Sequence, residues 1–297
     1  MPARFSMLAS GSSGNCAFLK TDGFGLLIDV GLPPRLIAAR LAAVGASWND
    51  VQAVVLTHTH TDHWKDVTFA EMRRRRVPLY CAPGHHTALT RYGGYFDQML
   101  AANLVRPVEA GVALELSPGV TCRPIEVPHD SDPTFAYRLD GPPGLFAPQW
   151  SLGYASDLGV ARPDLIEAFV DVSALAIEFN HCERMEQMSG RPAFLVRRVL
   201  GEHGHLSNAQ AAASVQSIVR ASAPGSLKHL VQLHLSRDCN KPTLAAQVVL
   251  AALAETGSSA QVTTATQERV TRPLDLEGTP LPRPTAPALQ IVPVMPF

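Results

Sequence analysis

The sequence is short of everything that marks a secreted or membrane protein. Its five cysteines, Cys16, Cys81, Cys122, Cys182 and Cys239, are odd in number, scattered, and never spaced as CxxC. That excludes a disulfide framework and suits a reducing compartment. No apolar run reaches the roughly eighteen residues needed to cross a bilayer. The start, Met1-Pro2-Ala3-Arg4-Phe5-Ser6, has no apolar h-region and no twin arginine. Charge of one sign is also missing: 25 Lys and Arg stand against 26 Asp and Glu, a formal net of −1. No global basic field advertises nucleic acid, although a local patch stays open. These absences predict a soluble, cytoplasmic protein without a membrane partner. What is present is ordinary globular composition, 46% hydrophobic over 297 residues with a mean hydropathy of +0.06. It has ample length for a core.

One stretch organises the rest. The apolar run Val51-Gln52-Ala53-Val54-Val55-Leu56 is short and β-branched, which predicts a buried strand. It is followed at once by Thr57-His58-Thr59-His60-Thr61-Asp62-His63. His58 and His60, two apart on extended chain, share a side, and Asp62 and His63 follow one turn later. Three imidazoles and a carboxylate this close make a divalent-metal site, suited to zinc, with the carboxylate admitting manganese or iron. The pattern resembles the H-x-H-x-D-H signature of the metallo-β-lactamase superfamily. It is specific for the metal and the fold and silent on the substrate.

In chain order, residues 5–10 and 16–30 predict a β-meander interrupted by the loop Gly11-Ser12-Ser13-Gly14-Asn15. Ser13 and Asn15 there read either as an anion-holding loop or as a plain turn. Asp29 ends an apolar strand, where a carboxylate is costly unless paired. It reads equally as an acid that orients the metal loop or as a turn residue. Helices are predicted over 33–44 and 66–76, the latter ending in Arg73-Arg74-Arg75-Arg76, a solvated face or a phosphate-facing patch. His85 and His86 read as spare surface or cap residues. Antiparallel strands fill 104–140. A breaker, Gly141-Pro142-Pro143-Gly144, precedes strand–helix alternation, in which Ser207 and Gln210 form a capping box. The whole predicts an α/β fold, an αββα sandwich of two packed sheets with outer helices. The catalytic domain would span 1–265, its two similar halves meeting near 141–150. Residues 266–297 would be a Pro-rich tail, without regular structure from about Thr271, that floats or lies along the body.

Three further residues follow predicted strands: His129, Asp157 and His234. Each alone is unremarkable. With the opening motif they complete a two-metal set: His58, His60 and His129 on one ion, Asp62, His63 and His234 on the other, and Asp157 bridging.

Flanking words narrow the resemblance. L-I-D-V-G at 27–31, P-H-D-S-D-P at 128–133, A-S-D-L-G at 155–159, E-F-N-H at 178–181, G-H-L-S-N at 204–208 and H-L-S at 234–236 resemble the YycJ/WalJ-like branch of metallo-β-lactamase-fold phosphodiesterases. They are also similar to the tRNase Z group. The resemblance covers roughly residues 5–265. It implies a metal-dependent DNA exonuclease using a hydroxide held by two divalent ions. Asp62 would bind metal and accept the hydroxide's hydrogen bond, and His205 would protonate the leaving oxygen. His181 would stand near the site in an unassigned role. Arg237 and Lys241 read equally as phosphate contacts or as charges beside a helix start. Thr59, Cys182, Asp66 and the Arg237-Asp238-Cys239-Asn240 run depart from the branch pattern. None removes a metal ligand, so substrate preference is what they leave open.

Other readings are RNA or a small cyclic phosphodiester as substrate, a thioester, lactone or β-lactam hydrolase of the same fold, and a non-catalytic binding module. A dedicated proton donor argues against acyl transfer, and seven filled ligand positions argue against loss of turnover. Nucleic acid, DNA first, is the expected partner. The oligomeric state stays open, a homodimer included.

Overall fold

A computed structural model describes residues 3–91, 94–131, 133–142 and 149–277. Two sheets pack face to face. The first contains β1 (Arg4–Ala9), β2 (Cys16–Lys20), β3 (Gly25–Ile28), β4 (Ala53–Val55), β5 (Leu79–Cys81) and β6 (Val105–Pro107). The second contains β7 (Leu114–Ser117), β8 (Val120–Glu126), β9 (Phe135–Asp140), β10 (Ser151–Ala155), β11 (Ala174–Glu178), β12 (His229–Leu233) and β13 (Gln261–Thr264). A last short strand, β14 (Leu274–Asp275), returns to the first sheet beside β1. The orders are β14-β1-β2-β3-β4-β5-β6 and β13-β12-β11-β10-β9-β8-β7. Each sheet opens with an antiparallel meander and closes with parallel strands joined through helices. Both therefore direct a set of strand C-termini to the same edge.

The core has three layers. Between the sheets lie Phe5, Met7, Ile28, Val55, Tyr137, Trp150, Tyr154, Val231 and Leu233. The outer face of the first sheet, with Leu27, Val54 and Phe18, packs on α1 (Pro34–Ala43), α2 (Asp66–Arg75), α3 (His86–Arg91) and α4 (Tyr95–Ala101). The second sheet is covered by α5 (Pro163–Ala168), α8 (Asn208–Ala221) and α9 (Pro242–Glu255), while α6 (Glu183–Gln187) and α7 (Ala193–Leu200) flank it. Burial on both faces explains why the central strands read as continuous apolar runs rather than alternations. The architecture is the expected αββα sandwich. Among the described residues, no helix is long and apolar enough to cross a membrane.

Three expectations are corrected. The chain passes from one sheet to the other between β6 and β7, at residues 108–113, not near 141–150; residues 143–148 lie outside the described ones. The proline-rich segment does not begin as a loose tail at 266. Residues 266–277 run along the body, with Thr271 N donating to Met7 O at 3.0 Å and Leu276 N to Ala3 O at 2.9 Å. Leu276 is fully buried. An edge position tolerates Pro273 beside a strand, because its missing N–H breaks no interior ladder. The rest of the tail, 278–297, lies outside the described residues. His85 is not a surface residue: it is buried, with Nε2 2.8 Å from the Pro133 carbonyl.

Candidate metal centre

The opening motif follows β4 directly and lies at the edge where strands of both sheets end. Asp29 comes just after β3, His129 after β8, Asp157 after β10 and His234 after β12. Asp29, Asp157 and His234 hold left-handed backbone, with φ of 61°, 60° and 52°. That conformation is sparsely populated outside glycine and recurs where a site over-determines the chain. It ends each strand abruptly and leaves the side chain at the sheet edge.

Two groups of donors result. His58 Nε2 and His129 Nε2 lie 3.1 and 3.2 Å from His60 Nδ1. Nitrogens tetrahedrally bound to zinc at about 2.0–2.1 Å would stand about 3.3–3.4 Å apart, so the trio matches the edges of a coordination polyhedron. In the second group, Asp62 Oδ2 is 3.3 Å from His234 Nε2 and 3.7 Å from His63 Nε2. Asp157 Oδ2 is 3.0 Å from His63 Nε2, and Asp157 also falls in one group with His58 and His63.

The outward nitrogens complete the fit. His58 Nδ1 meets Thr57 Oγ1 at 3.0 Å, His60 Nε2 meets Asp130 Oδ1 at 3.3 Å, and His129 Nδ1 meets the Gly204 carbonyl at 2.9 Å. His63 Nδ1 meets Asp29 Oδ2 at 2.7 Å, and His234 Nδ1 meets Glu178 Oε1 at 3.2 Å. Imidazoles that hold metal are oriented in this way, each turning its other nitrogen to a carboxylate, hydroxyl or carbonyl. The donor set therefore fits divalent ions, which the fold itself implies. Glu178 groups with Asp157, His205 and His234 as a further candidate. Its oxygens are already used by the Leu158 and Leu206 N–H groups at 3.1 and 3.2 Å and by two Nδ1 atoms. It braces the centre from outside.

Electrostatics divides the imidazoles. Burial holds His58 well below its usual pKa and lowers His129, keeping both neutral and able to ligate. Burial also works against charge on His63 and His234, but surrounding carboxylates outweigh it and hold both above the usual value. Burial would raise Asp157, and the His234 and His63 imidazoles outweigh it and hold it well below. The centre is anion-rich where Asp62, Asp157, Asp29 and Glu178 gather, which is where dications would neutralise it.

Asp62, His60, Asp157, His205 and His234 line a cavity of about 340 Å³ together with Ser12, Thr59, Thr61 and Arg198. His205 Nδ1 is 2.8 Å from Glu178 Oε1, and that anion, with Asp157, outweighs burial and raises its pKa. Asp29, fully buried, accepts from Thr57 N at 2.8 Å and meets His63 Nδ1 at 2.7 Å, contacts that suit an acid orienting the metal loop.

Five expected site residues are not brought to the cavity. Asn15 is fully buried; its Nδ2 is 3.2 Å from Asp62 Oδ2 and 3.0 Å from His63 Nε2, and its Oδ1 accepts from Gly11 N. It positions ligand-type residues and does not face solvent. Ser13 is exposed and tied to Gln267, while its neighbour Ser12 lines the cavity. Arg237 pairs with Glu268 at 3.0 Å in an adjoining pocket. Lys241 is an exposed N-cap residue of α9. His181 is fully buried, outside the cavity lining, with neither ring nitrogen hydrogen-bonded. Arg74 and Arg75 are drawn back to Glu71, and Arg75 also lies over Trp48, so half of the basic run is locally engaged.

Glu178, Asp130 and Arg198 were missed from sequence. Glu178 carried the same signal as Asp29, a carboxylate ending an apolar strand. Asp130 and Arg198 form an ion pair across 68 positions of sequence, which no spacing rule reveals.

Residues 26–223 match the family described as "Beta-lactamase superfamily domain". The exodeoxyribonuclease YycJ of Bacillus anthracis is 29% identical over 264 residues, covering 86% of this chain and 91% of that one. The exodeoxyribonuclease WalJ of Streptococcus pneumoniae is 27% identical over 254 residues, covering 85% and 88%. Among solved structures, a diphosphatase of the PhnP family aligns with a TM-score of 0.62 at 17% identity, over 93% of this chain and 98% of that one.

Proposed function

Because the chain belongs to the β-lactamase superfamily and is a hydrolase of the metallo-β-lactamase fold, we propose that it cleaves phosphodiester bonds in DNA as an exonuclease, using two divalent ions, zinc or manganese, with iron a third option. The observation that carries the reading is His205, a partly exposed imidazole on the cavity wall, braced by buried Glu178 and set beside the ligand-type group. Acyl transfer has less need of such a proton donor than departure of an alkoxide. The names of the YycJ and WalJ relatives support nucleic acid, and DNA first.

In this reading His58, His60 and His129 would hold one ion and Asp62, His63 and His234 the other, with Asp157 within reach of both groups. Such ions lower the pKa of bound water to about 7 and polarise phosphoryl oxygens. The chain does the rest. Asp62 accepts a hydrogen bond from the attacking oxygen. His205 Nε2 delivers a proton to the leaving alkoxide, while Glu178 favours the protonated ring. Arg198 at the cavity wall faces the phosphate charge. The catalytic domain takes in residues through 277. The free cysteines, four of the five buried, support the cytoplasm as its place.

The test is a zinc- and manganese-supplemented assay on end-labelled duplex DNA, single-stranded DNA, RNA and a cyclic phosphodiester, with Asp62→Ala alongside. Metal-dependent shortening of DNA from one end, absent in the variant, is expected and gives the polarity. Turnover of RNA or the cyclic diester alone would replace DNA as substrate. His205→Ala should keep its metal and lose about 10²–10⁴ in rate; loss of bound metal in that variant would remove the proton-donor role.

A further inference from the structure

Beside the centre lies a surface that the chemistry above leaves unused. Phe194, on α7, is 67% exposed, and Met188, between α6 and α7, is 72% exposed. They are the two most exposed large hydrophobic residues among those described. Arg198, four residues after Phe194, lines the catalytic cavity. Residues four apart share a helix face, about 6 Å from one another along the axis. Arg197, also exposed, lies between them in sequence. The aromatic thus sits one helical turn from the cavity wall, on the helix that supplies part of that wall.

The helix is held in place at both ends. Before it, Arg191 bonds Asp238 Oδ2 at 2.8 Å and Glu186 Oε2 at 3.2 Å. At its end Arg198 pairs with Asp130, which also meets His60 and His129. His205 N then donates to Val199 O at 3.0 Å. An aromatic left in water on a fixed support, flanked by cations and continuous with a reaction cavity, has the make-up of a single-strand platform. Bases stack on the ring and arginines track the backbone.

We infer that α7 is a ledge for single-stranded DNA, on which the base next to the scissile phosphate stacks against Phe194 while Arg197 and Arg198 hold the phosphates. This rests on the phosphodiesterase reading and names the state of its substrate: a base must be unpaired to offer its face.

The test uses the full chain loaded with manganese. Wild type, Phe194→Ala, Phe194→Trp and Arg197→Ala are compared on a single-stranded oligonucleotide and on bis(4-nitrophenyl) phosphate, a diester too small to span cavity and ledge together. The Phe194→Ala loss of kcat/KM on the oligonucleotide should exceed its loss on the small diester about tenfold, through KM, with Trp restoring it. Arg197→Ala should flatten the slope of log affinity against log salt by about 0.7. Equal losses on both substrates, or none on the oligonucleotide, overturn the ledge. So does a dimer that Phe194→Ala splits, since a second copy then covers the face. If wild type turns over only the small diester, the nuclease reading itself fails. Oligonucleotide anisotropy then decides the ledge alone: equal affinity for wild type and Phe194→Ala overturns it, and a tenfold difference sustains it.

Discussion

Glu178 Oε1 lies 2.8 Å from His205 Nδ1 and 3.2 Å from His234 Nδ1. One fully buried carboxylate thereby fixes the orientation of two imidazoles, one in the ligand-type group and one on the reaction side. Asp29 does the equivalent work in the first sheet, at the end of β3, by bonding His63 and the Thr57 backbone.

Replacing that anion by an amide separates the two duties. Burial alone would lower the pKa of His205, and Glu178 outweighs it. In Glu178→Gln the His205 pKa falls, so its proton is lost at lower pH and the basic limb of the kcat–pH profile moves down. Metal affinity should drop about 10–100-fold through His234. A pH–rate profile with a metal titration checks both; an unmoved basic limb would contradict the role of His205.

Chelation should lower stability as well as activity. The imidazoles and carboxylates gathered at the cavity are held against their mutual repulsion, and an ion that binds only the folded chain adds about 2.7 kcal/mol at a hundred times its Kd. Thermal unfolding with and without chelator, beside elemental analysis, is the measurement. Identical midpoints for loaded and stripped protein would count against the centre.

Gly204 has no room for a methyl group: a Cβ there would run into the Arg198 and Val199 carbonyls. Its own carbonyl receives His129 Nδ1 at 2.9 Å. Gly204→Ala should cost about 1–3 kcal/mol and loosen metal binding through His129. Gly94→Ala, where nothing lies within 4 Å of the added atom, serves as the control in the same denaturant titration.

A chain ending at Ala265 should be less stable than the full chain. It loses the buried Leu276, worth about 1.5–3 kcal/mol, and leaves the edge of β1 unpaired. It also loses Gln267, whose side chain bonds Ser13 N at 3.0 Å and the Gly14 carbonyl at 2.8 Å. Equal urea midpoints for the two chains would restore the boundary at 265.

Thiol chemistry should be selective. Burial pushes Cys81 up to about 12, and raises Cys16 and Cys122 as well. Cys182 alone among the cysteines is not buried. Iodoacetamide on the native protein should label Cys182 first, as peptide mass mapping would show; prior labelling of Cys16 or Cys122 would mean the core opens.

What was legible followed local rules. The strand before His58 and the capping box of Ser207 and Gln210 are each written within a few residues, and the structure has both. In α8 the Ser207 hydroxyl accepts from Gln210 N at 3.2 Å, and the Gln210 side chain accepts from Ser207 N at 2.9 Å. Illegible features depended on distant partners. Asn15 sits in a Gly/Ser loop that reads as solvent-facing, yet its N–H reaches the Asp62 carbonyl at 2.7 Å and draws it inward. β14 is two residues long beside a proline, too short for any periodicity, and exists because β1 offers an open edge. The change of sheet at 108–113 carries only an Ala110-Gly111 turn signal, a weaker local break than the Pro/Gly cluster at 141–144, so local rules place the boundary between the halves too late.

The ligand-type residues are divided between the two sheets: positions 58–63 belong to the first, and 129, 157 and 234 to the second. During synthesis, the first three imidazoles emerge well before any counterpart. The nascent chain stays unable to trap an ion in the final arrangement until residue 234 has left the ribosome and β12 has slotted in beside β11. Once closed, an ion there would rivet the sheets together, because each of its ligand groups draws on both. Metal exchange would then report on breathing between the sheets, and a slow off-rate would be a property of the whole sandwich rather than of any one ligand.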